Sequence, residues 1–443
     1  MNRISWLLAG ILLASGTLSA SAQWSKQVEL YHWVDFPIEA PGADDGIDKW
    51  DVEGSCVWTH ESGAVRRTSL LWYSGGKDTY VYRFGGSLPG RWTGTTRSPV
   101  AALDGRELTV DVVPSSNPDR IGWSGQRSDE PTAWAHQKGP AGQLVKCTPI
   151  LIMMPDVGHW HDDLARMRAY VAEFHENHGF NGGHISTIGR SWFEIGSTAS
   201  LRTVPAAPDV RTFAALEAAA SEWSERGGWL HLWMWGKGGS GDFSNLPGGY
   251  DGAHSRRINR YLAARLGPVP GWSMGIGWDV EFWADQAKIK WWLDDLVPRL
   301  GGWHHWLGAR YSDSDIGQGR DPEPANKGEY LARGIIWNTL RPGSEQYAGW
   351  EHWATTTSDS AIDAGLAAFA DRPMMSEDRF RRREGAWPQK DFRSDDDILT
   401  EIPRWANRGV GAIYGRLLDR NVQGSETWPN RAAIKAVIES IDQ

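Results

Sequence analysis

The segment Trp229-Leu-His-Leu-Trp-Met-Trp235 has the pattern of a short apolar strand directly after a helical segment, and this order indicates the fold class. That helical segment, Thr212–Arg226, ends at Gly227, and glycine takes the left-handed conformation of a helix stop at little cost. Strands, helices and terminating glycines alternate in this way from Pro149 onward. The alternation predicts an α/β protein whose strands are parallel.

On both sides of this segment the same pattern predicts further strands, which makes eight in all. They are Pro149–Met154, Gly182–Ser186, Trp229–Trp235, Trp272–Trp278, His304–Ala309, Gly349–Trp353, Pro373–Ser376 and Val410–Tyr414. Further helical segments are Asp162–His178, closed by Gly179, and Asp395–Arg408, closed by Gly409. Eight alternations favour a closed (β/α)8 TIM barrel. A doubly wound open sheet is the alternative, but no Gly-rich phosphate loop follows the first strand.

The first part of the chain alternates apolar and polar residues with a period of two. Between Val28 and Val113 these runs are separated by turn clusters at 74–78 and 85–90, which predicts an antiparallel β-sandwich. A polar stretch rich in Pro and Ser follows. We therefore expect four segments: a signal peptide at 1–22, an N-terminal β-sandwich domain at 23–113, a linker at 114–146 and the barrel at 147–443.

The start of the chain is typical of a secretory signal. Arg3 precedes the apolar run Ile4–Leu13, and small residues up to Ala22 precede Gln23, which predicts cleavage after Ala22. The apolar run is too short to cross a membrane. We expect a secreted or periplasmic protein with no membrane partner. Cys56 and Cys147 are the two cysteines; they form a disulfide or remain separate thiols.

Composition narrows the function classes. The formal net charge of −9 leaves no basic surface of the kind that nucleic acid needs, so no nucleic-acid partner is expected. The 28 tryptophans exceed what an ordinary core requires. Indole faces stack on the apolar faces of sugar rings, although core packing is the alternative for most of them.

Two glutamates end corresponding segments of the barrel pattern. Glu281 ends Trp272-Ser-Met-Gly-Ile-Gly-Trp-Asp-Val-Glu281, and Glu377 ends Pro373-Met-Met-Ser-Glu377, after the fourth and seventh predicted strands. The C-terminal ends of barrel strands meet at one mouth, where such enzymes carry out their chemistry. Two carboxylates in a Trp-rich cleft therefore indicate cleavage of glycosidic bonds.

Larger motifs carry a family resemblance. The first part is similar to the N-terminal module of many bacterial polysaccharide-degrading hydrolases, and the barrel resembles retaining glycoside hydrolases of the clan A type. The motifs that carry the likeness are Glu29–Phe36, Tyr80–Phe84, Gly90–Trp92, Gly277–Glu281, Gly302–Arg310, Met375–Phe380 and Gly409–Gly415.

The resemblance implies that Glu281 is the acid/base and Glu377 the nucleophile, with no cofactor and no metal. Retention requires the two carboxyl groups to lie about 5–5.5 Å apart, one protonated and one ionised. One departure stands out, because the family commonly carries Asn before the acid/base and this chain has Val280. Asp279 is therefore a rival proton donor, since alternation puts it on the same side as Glu281.

Other residues near predicted strand ends are candidates for contact with the substrate, a polysaccharide or oligosaccharide. They are His184, Trp235, Asp279, Arg310, His352 and Arg379. The arginine run Arg379–Arg383 is suited to sulfate or uronate groups, so an anionic polysaccharide is one expectation. Its alternative is a solvated loop.

Three other functions remain open from the sequence. His159 and His161, beside Asp162 and Asp163, leave a metal-dependent hydrolase as an alternative, although the acids also suit a helix start. A polysaccharide lyase would use a Tyr, His or Lys base on a uronate. A non-catalytic carbohydrate-binding protein with the same fold is the third, because fold alone does not establish activity.

Overall fold

The computed structural model describes residues 24–187, 189–194, 200–203, 207–236, 238, 241–277, 280, 283–311, 347–351, 359–368, 370, 372–381, 395–415 and 431–441. These residues form an α/β protein, as the alternating pattern predicted.

The N-terminal part is a sheet of seven strands in the spatial order β1-β7-β6-β3-β4-β5-β2. Its strands are β1 (Ser25–Glu29), β2 (Trp33–Glu39), β3 (Ser55–His60), β4 (Arg66–Tyr73), β5 (Thr79–Gly85), β6 (Gly90–Arg97) and β7 (Glu107–Val113). All neighbours are antiparallel except β1 and β7, which run parallel.

Aromatic rings from the two ends of this sheet meet in one core. Phe36 of β2 lies 5.6 Å from Trp58 of β3, and Phe84 of β5 lies 4.7 Å from Trp58 and 5.1 Å from Trp92 of β6. All four rings are fully buried. The sheet folds back on itself through β4, which pairs first with β3 and then with β5.

The segment predicted as a linker contains a three-stranded antiparallel sheet: β8 (Ile121–Ser124), β9 (Ala135–Lys138) and β10 (Gln143–Lys146). Trp123 of β8 donates its indole N–H to the carbonyl of Gly267, at 3.2 Å. This segment is therefore packed against the second half of the chain.

The second half contains eight parallel strands that close into a barrel in sequence order. They are β11 (Ile150–Met153), β12 (Gly182–Ser186), β13 (Trp229–Trp235), β14 (Trp272–Gly277), β15 (Leu307–Tyr311), β16 (Tyr347–Glu351), β17 (Met374–Arg381) and β18 (Gly411–Gly415). β12 and β13 have the limits that the sequence predicted, and the largest differences are in β15 and β17. β15 begins at Leu307, after His304, and β17 continues past Ser376 to Arg381.

Seven α-helices lie within the described ranges: α1 (Leu164–Ala172), α2 (Val210–Ser224), α3 (Ala253–Leu266), α4 (Gln286–Arg299), α5 (Asp359–Ala368), α6 (Asp395–Ala406) and α7 (Arg431–Ile441). Aspartates cap the N-termini of α1, α2 and α4; Asp209, for example, accepts a hydrogen bond from the backbone N–H of Arg211 at the start of α2, at 2.9 Å. Gly227 after α2 has φ of 78°, which confirms its predicted role as a helix stop. No helix within the described part is long and apolar enough to cross a membrane.

A buried ionic network joins the N-terminal sheet to the barrel helices. The guanidinium of Arg83 in β5 binds Asp35 of β2 at 2.6 Å and Glu217 of α2 at 2.8 Å. Arg265 of α3 binds the same Glu217 oxygen at 2.6 Å and stacks 4.5 Å over the Trp72 ring. Burial alone would raise the pKa of Glu217, but the two arginines outweigh burial and lower it. We call Arg83, Asp35, Glu217 and Arg265 the interface network.

A second, more exposed set of ion pairs lies beside it. Arg257 of α3 binds Asp51, at 2.9 Å from its Nε, and Asp48 at 3.1 Å. Arg260, one helical turn on, binds Glu53 at 2.9 Å. Sheet and helices are therefore held in one arrangement by charge pairs as well as by apolar packing.

Candidate active site

The carboxyl ends of the barrel strands define the mouth where the sequence predicts the chemistry. Asp279, Glu281 and His352 lie outside the described residues. Glu377 and Arg379 belong to β17 and Arg310 to β15, and the structure describes only the backbone of these three. Their roles in catalysis and substrate contact stay predictions.

The backbone around Glu377 is irregular. β17 keeps one register with β18 up to Ser376 and resumes pairing at Phe380 in a shifted register. Glu377 therefore lies within a strand, directly after its regular part, and not at the strand end that the sequence suggested. Irregularities of this kind are frequent at barrel rims beside active sites, where they change the direction of a side chain.

His184 faces the inside of the barrel. A Cβ atom built on its neighbour Gly183 would lie 2.5 Å from the sulfur of Met154 and 2.5 Å from the indole nitrogen of Trp223 in α2, so residue 183 faces the helix layer. Strand alternation then turns His184 into the lumen, where its side chain is fully buried. It has no exposed surface for direct contact with a sugar in this structure.

His184 belongs to a group of side chains that we call the lumen cluster, with His231, Trp233 and Ser273. The ring of His231 stacks on His184 at 5.2 Å, and the ring of Trp233 meets His184 edge-on at 4.2 Å. The hydroxyl of Ser273 on β14 lies 3.1 Å from Nδ1 of His231. Among the described residues, neither ring nitrogen of His184 has a hydrogen-bond partner of normal geometry.

Both histidines of the lumen cluster are neutral at neutral pH. Burial lowers the pKa of His184 to about 3, against a smaller opposing effect of the His231 backbone. Burial, and then the neighbouring His184, lowers the pKa of His231 well below its ordinary value. Neither ring is suited to proton transfer near pH 7, because a general base or acid works best with a pKa near the working pH.

Trp235, predicted to contact substrate, is fully buried at the end of β13. Its ring stacks on Phe243 at 5.3 Å, and Phe243 in turn lies 5.7 Å from Trp283 and 6.1 Å from Trp291. An aromatic layer from the loops after β13 and β14 therefore covers it. Substrate contact by Trp235 stays a prediction that this arrangement does not favour.

His161, one of the two histidines that suggested a metal site, has a structural role. Thr212 donates its hydroxyl hydrogen to the carbonyl of Ser191 at 2.6 Å, so it accepts from Nε2–H of His161 at 3.0 Å. Burial lowers the pKa of His161. Within the described residues no group of three or more His, Cys, Asp or Glu side chains is arranged to hold a metal ion. Cys56 and Cys147 are not joined by a disulfide.

Three residues of the barrel lumen were not predicted from the sequence: His231, Ser273 and Gly275. Alternation within Trp229–Trp235 puts His231 on the same face as Trp233, so one signal for it was present. The partners on β14 depend on the register Trp233 to Gly275 and His231 to Ser273, which no local pattern reveals.

The fold of this chain is similar to the folds of known proteins, although its sequence is not. No protein-family model and no curated protein matches the sequence. A protein from Bacteroides vulgatus, provisionally named a glycoside hydrolase, is similar in structure, with a TM-score of 0.64 and 16% identity over 88% of this chain and 72% of that chain. A β-glucanase from Saccharophagus degradans matches less well, with a TM-score of 0.47 and 12% identity over 73% of this chain and 94% of that one. At these identities the likeness extends to the fold alone.

Proposed function

We propose that the protein is a retaining glycoside hydrolase of the clan A type that cleaves a polysaccharide or a derived oligosaccharide. One observation carries the proposal: in a barrel closed in sequence order, the fourth strand, β14, leads into Asp279 and Glu281, and the seventh, β17, contains Glu377 at its register shift. The fold shared with the Bacteroides vulgatus protein supports it.

The proposed reaction has two displacement steps. Glu377, ionised, attacks the anomeric carbon while Glu281 gives its proton to the departing glycosidic oxygen. The ester between Glu377 and the sugar is then hydrolysed by a water whose proton returns to Glu281, so two inversions give net retention. Val280, in the place where the family carries Asn, is buried and apolar, so another residue must bind the sugar 2-hydroxyl.

The proposal includes the wider organisation. We take the chain as an exported protein with a signal peptide at 1–22, an antiparallel β-sandwich at 23–113, a linker at 114–146 and a (β/α)8 catalytic barrel at 147–443. Arg310 and Arg379 are the reason to include sulfated or uronate-containing polysaccharides among the substrates to be tried, because Arg pairs well with such anions.

The first experiment is a screen of plant and algal polysaccharides that measures released reducing ends together with ultraviolet absorbance. Hydrolysis releases reducing ends without an unsaturated product, whereas a lyase would produce both. Proton NMR of the first-formed sugar then gives its anomeric configuration. Inversion, or an unsaturated product, would contradict the proposal.

Two variants test the assigned residues. Glu377→Gln should abolish turnover of natural and activated substrates alike, because no covalent intermediate can form. Glu281→Ala should be less damaging on a substrate with a good leaving group, and azide should restore its second step. Asp279→Ala is the matched control; leaving-group dependence and azide rescue in that variant would transfer the acid/base role to Asp279.

A further inference from the structure

Trp233 occupies the lumen directly below the barrel mouth. Its Cα is in register with Ser186, the last residue of β12, and with Gly275 of β14. A Cβ atom built on Gly275 would lie 3.2 Å from Cδ1 of Trp233, so the absence of a side chain at this position gives the indole its space. The indole therefore lies in the lumen against β14, the strand that leads to Asp279 and Glu281.

The backbone of Trp233 is fixed from the neighbouring strand. Thr187, just past the end of β12, donates to the carbonyl of Trp233 twice, from its backbone N–H at 3.1 Å and from its hydroxyl at 2.5 Å. Thr187 is itself fully buried. These bonds leave side-chain rotation as the main freedom of Trp233, and only 5% of the residue is exposed.

His184 restrains that remaining freedom. Its ring meets the indole at 4.2 Å with an interplanar angle of 71°, the edge-to-face arrangement that aromatic pairs prefer. His184 is in turn stacked on His231, which the Ser273 hydroxyl holds in place. The support for the indole thus runs across three strands, from β14 through β13 to β12.

We propose that Trp233 is the floor of the substrate cleft, limiting how deeply a sugar ring enters the barrel, and that His184 is the positioning residue that holds it there through ring packing. This inference deepens the proposed function and rests on it for the identity of the ligand. His184 acts without touching the sugar and without carrying charge. Its role depends on an aromatic ring that packs against the indole, so phenylalanine at position 184 should fulfil this role and leucine should not.

Fluorine NMR of the full chain labelled with 5-fluorotryptophan tests the packing without any turnover. Trp233→Phe identifies the Trp233 signal by its loss. His184→Leu should shift and broaden that signal, whereas His184→Phe should keep it near the wild-type position. Should neither His184 variant fold, Gly275→Ala should shift the same signal with His184 intact, because the new Cβ presses on the indole. A Trp233 signal that does not move in His184→Leu, or in Gly275→Ala where neither His184 variant folds, would overturn the proposal.

Kinetics on the best substrate of the polysaccharide screen test the consequence. His184→Leu should raise KM by about fivefold, as expected for loss of one aromatic contact, with little change in kcat. His305→Leu is the matched control, since His305 is equally buried and stacks at 3.7 Å on Trp272, at the first residue of β14. It should leave the Trp233 signal and KM unchanged. Equal effects of His184→Leu and His184→Phe on the Trp233 signal would refute a packing role, even if no polysaccharide is hydrolysed.

Discussion

The interface network and the lumen cluster both bury ionisable side chains, but they do so in opposite ways. At the interface, Arg83 and Glu217 remain charged, because each has an opposite charge within 2.8 Å. In the barrel lumen, burial is the largest influence on the pKa of His184 and of His231 and holds both rings neutral.

The difference shows how context decides the state of a buried group. An unpaired charge in a dry interior is far more costly than a neutral ring, so a histidine loses its proton there. A paired charge can stay, because the partner and its hydrogen bonds offset desolvation. Removal of a charge partner at the interface should therefore destabilise the fold by leaving a buried charge unpaired. A lower pH should destabilise it because the unfolded chain binds protons at the lumen histidines that the folded chain does not bind.

The largest expected effect is at Glu217. Glu217→Gln leaves Arg83 and Arg265 buried without their shared carboxylate, and breaking a buried pair in this way costs about 3–5 kcal/mol of unfolding free energy. Denaturant unfolding of the variant measures the loss. The control is Asp294→Asn, which removes the partner of Lys290 on the exposed side of α4, and which should cost ~0.5 kcal/mol or less. Similar losses of unfolding free energy in both variants would show that the interface network stabilises the fold no more than an exposed ion pair does.

An intermediate effect is expected from pH. The folded-state pKa of His184 is about 3 and its ordinary value is 6.5, so only the unfolded chain binds a proton between those values. The contribution of His184 to the free energy of unfolding is complete above pH 6.5, and it is lost by about 1.4 kcal/mol per pH unit as the pH falls. His184→Phe should lessen the acid sensitivity of the unfolding free energy by that amount.

The matching measurement at the interface separates the two regions. The pKa of Glu217 is lowered from its ordinary 4.5, so its contribution is present above that value and is lost only as the pH falls below it. Glu217→Gln should therefore leave the pH dependence between about pH 6.5 and pH 5 unchanged. A change of slope in that window would contradict the assignment of charge states.

The smallest effect is expected at the edge of the interface. Glu53 is 70% exposed although its partner Arg260 is mostly covered, and exposed pairs of this kind contribute ~0–1 kcal/mol. Glu53→Gln should cost less than about 1 kcal/mol, and the loss should vanish at high salt because exposed charges are screened. The destabilisation by Glu217→Gln should persist largely unchanged at high salt. Equal salt dependence of the two variants would erase the distinction between buried and exposed pairs.

Much of the layout could be predicted from the sequence. The strands Gly182–Ser186 and Trp229–Trp235 have the predicted limits, and Trp229–Trp235 is an apolar run between Gly228 and Gly236, which mark its two ends. β17 was predicted to end at Ser376, before Glu377, but continues to Arg381, since pairing with β18 across the register shift extends it. His184 was expected to contact substrate, and the structure buries it behind Trp233.

The alternation of strands and helices and the glycine stops could be predicted without a structure, because they follow from local sterics and from short-range hydrophobic periodicity. Three outcomes required the folded chain: the contact of Arg83 with Glu217, the space that Gly275 leaves for Trp233, and the neutral state of His184. Those outcomes depend on which elements become neighbours and how fully they exclude water. Burial and pairing between distant segments set the energies of charges and rings, and they exist only once the chain has folded.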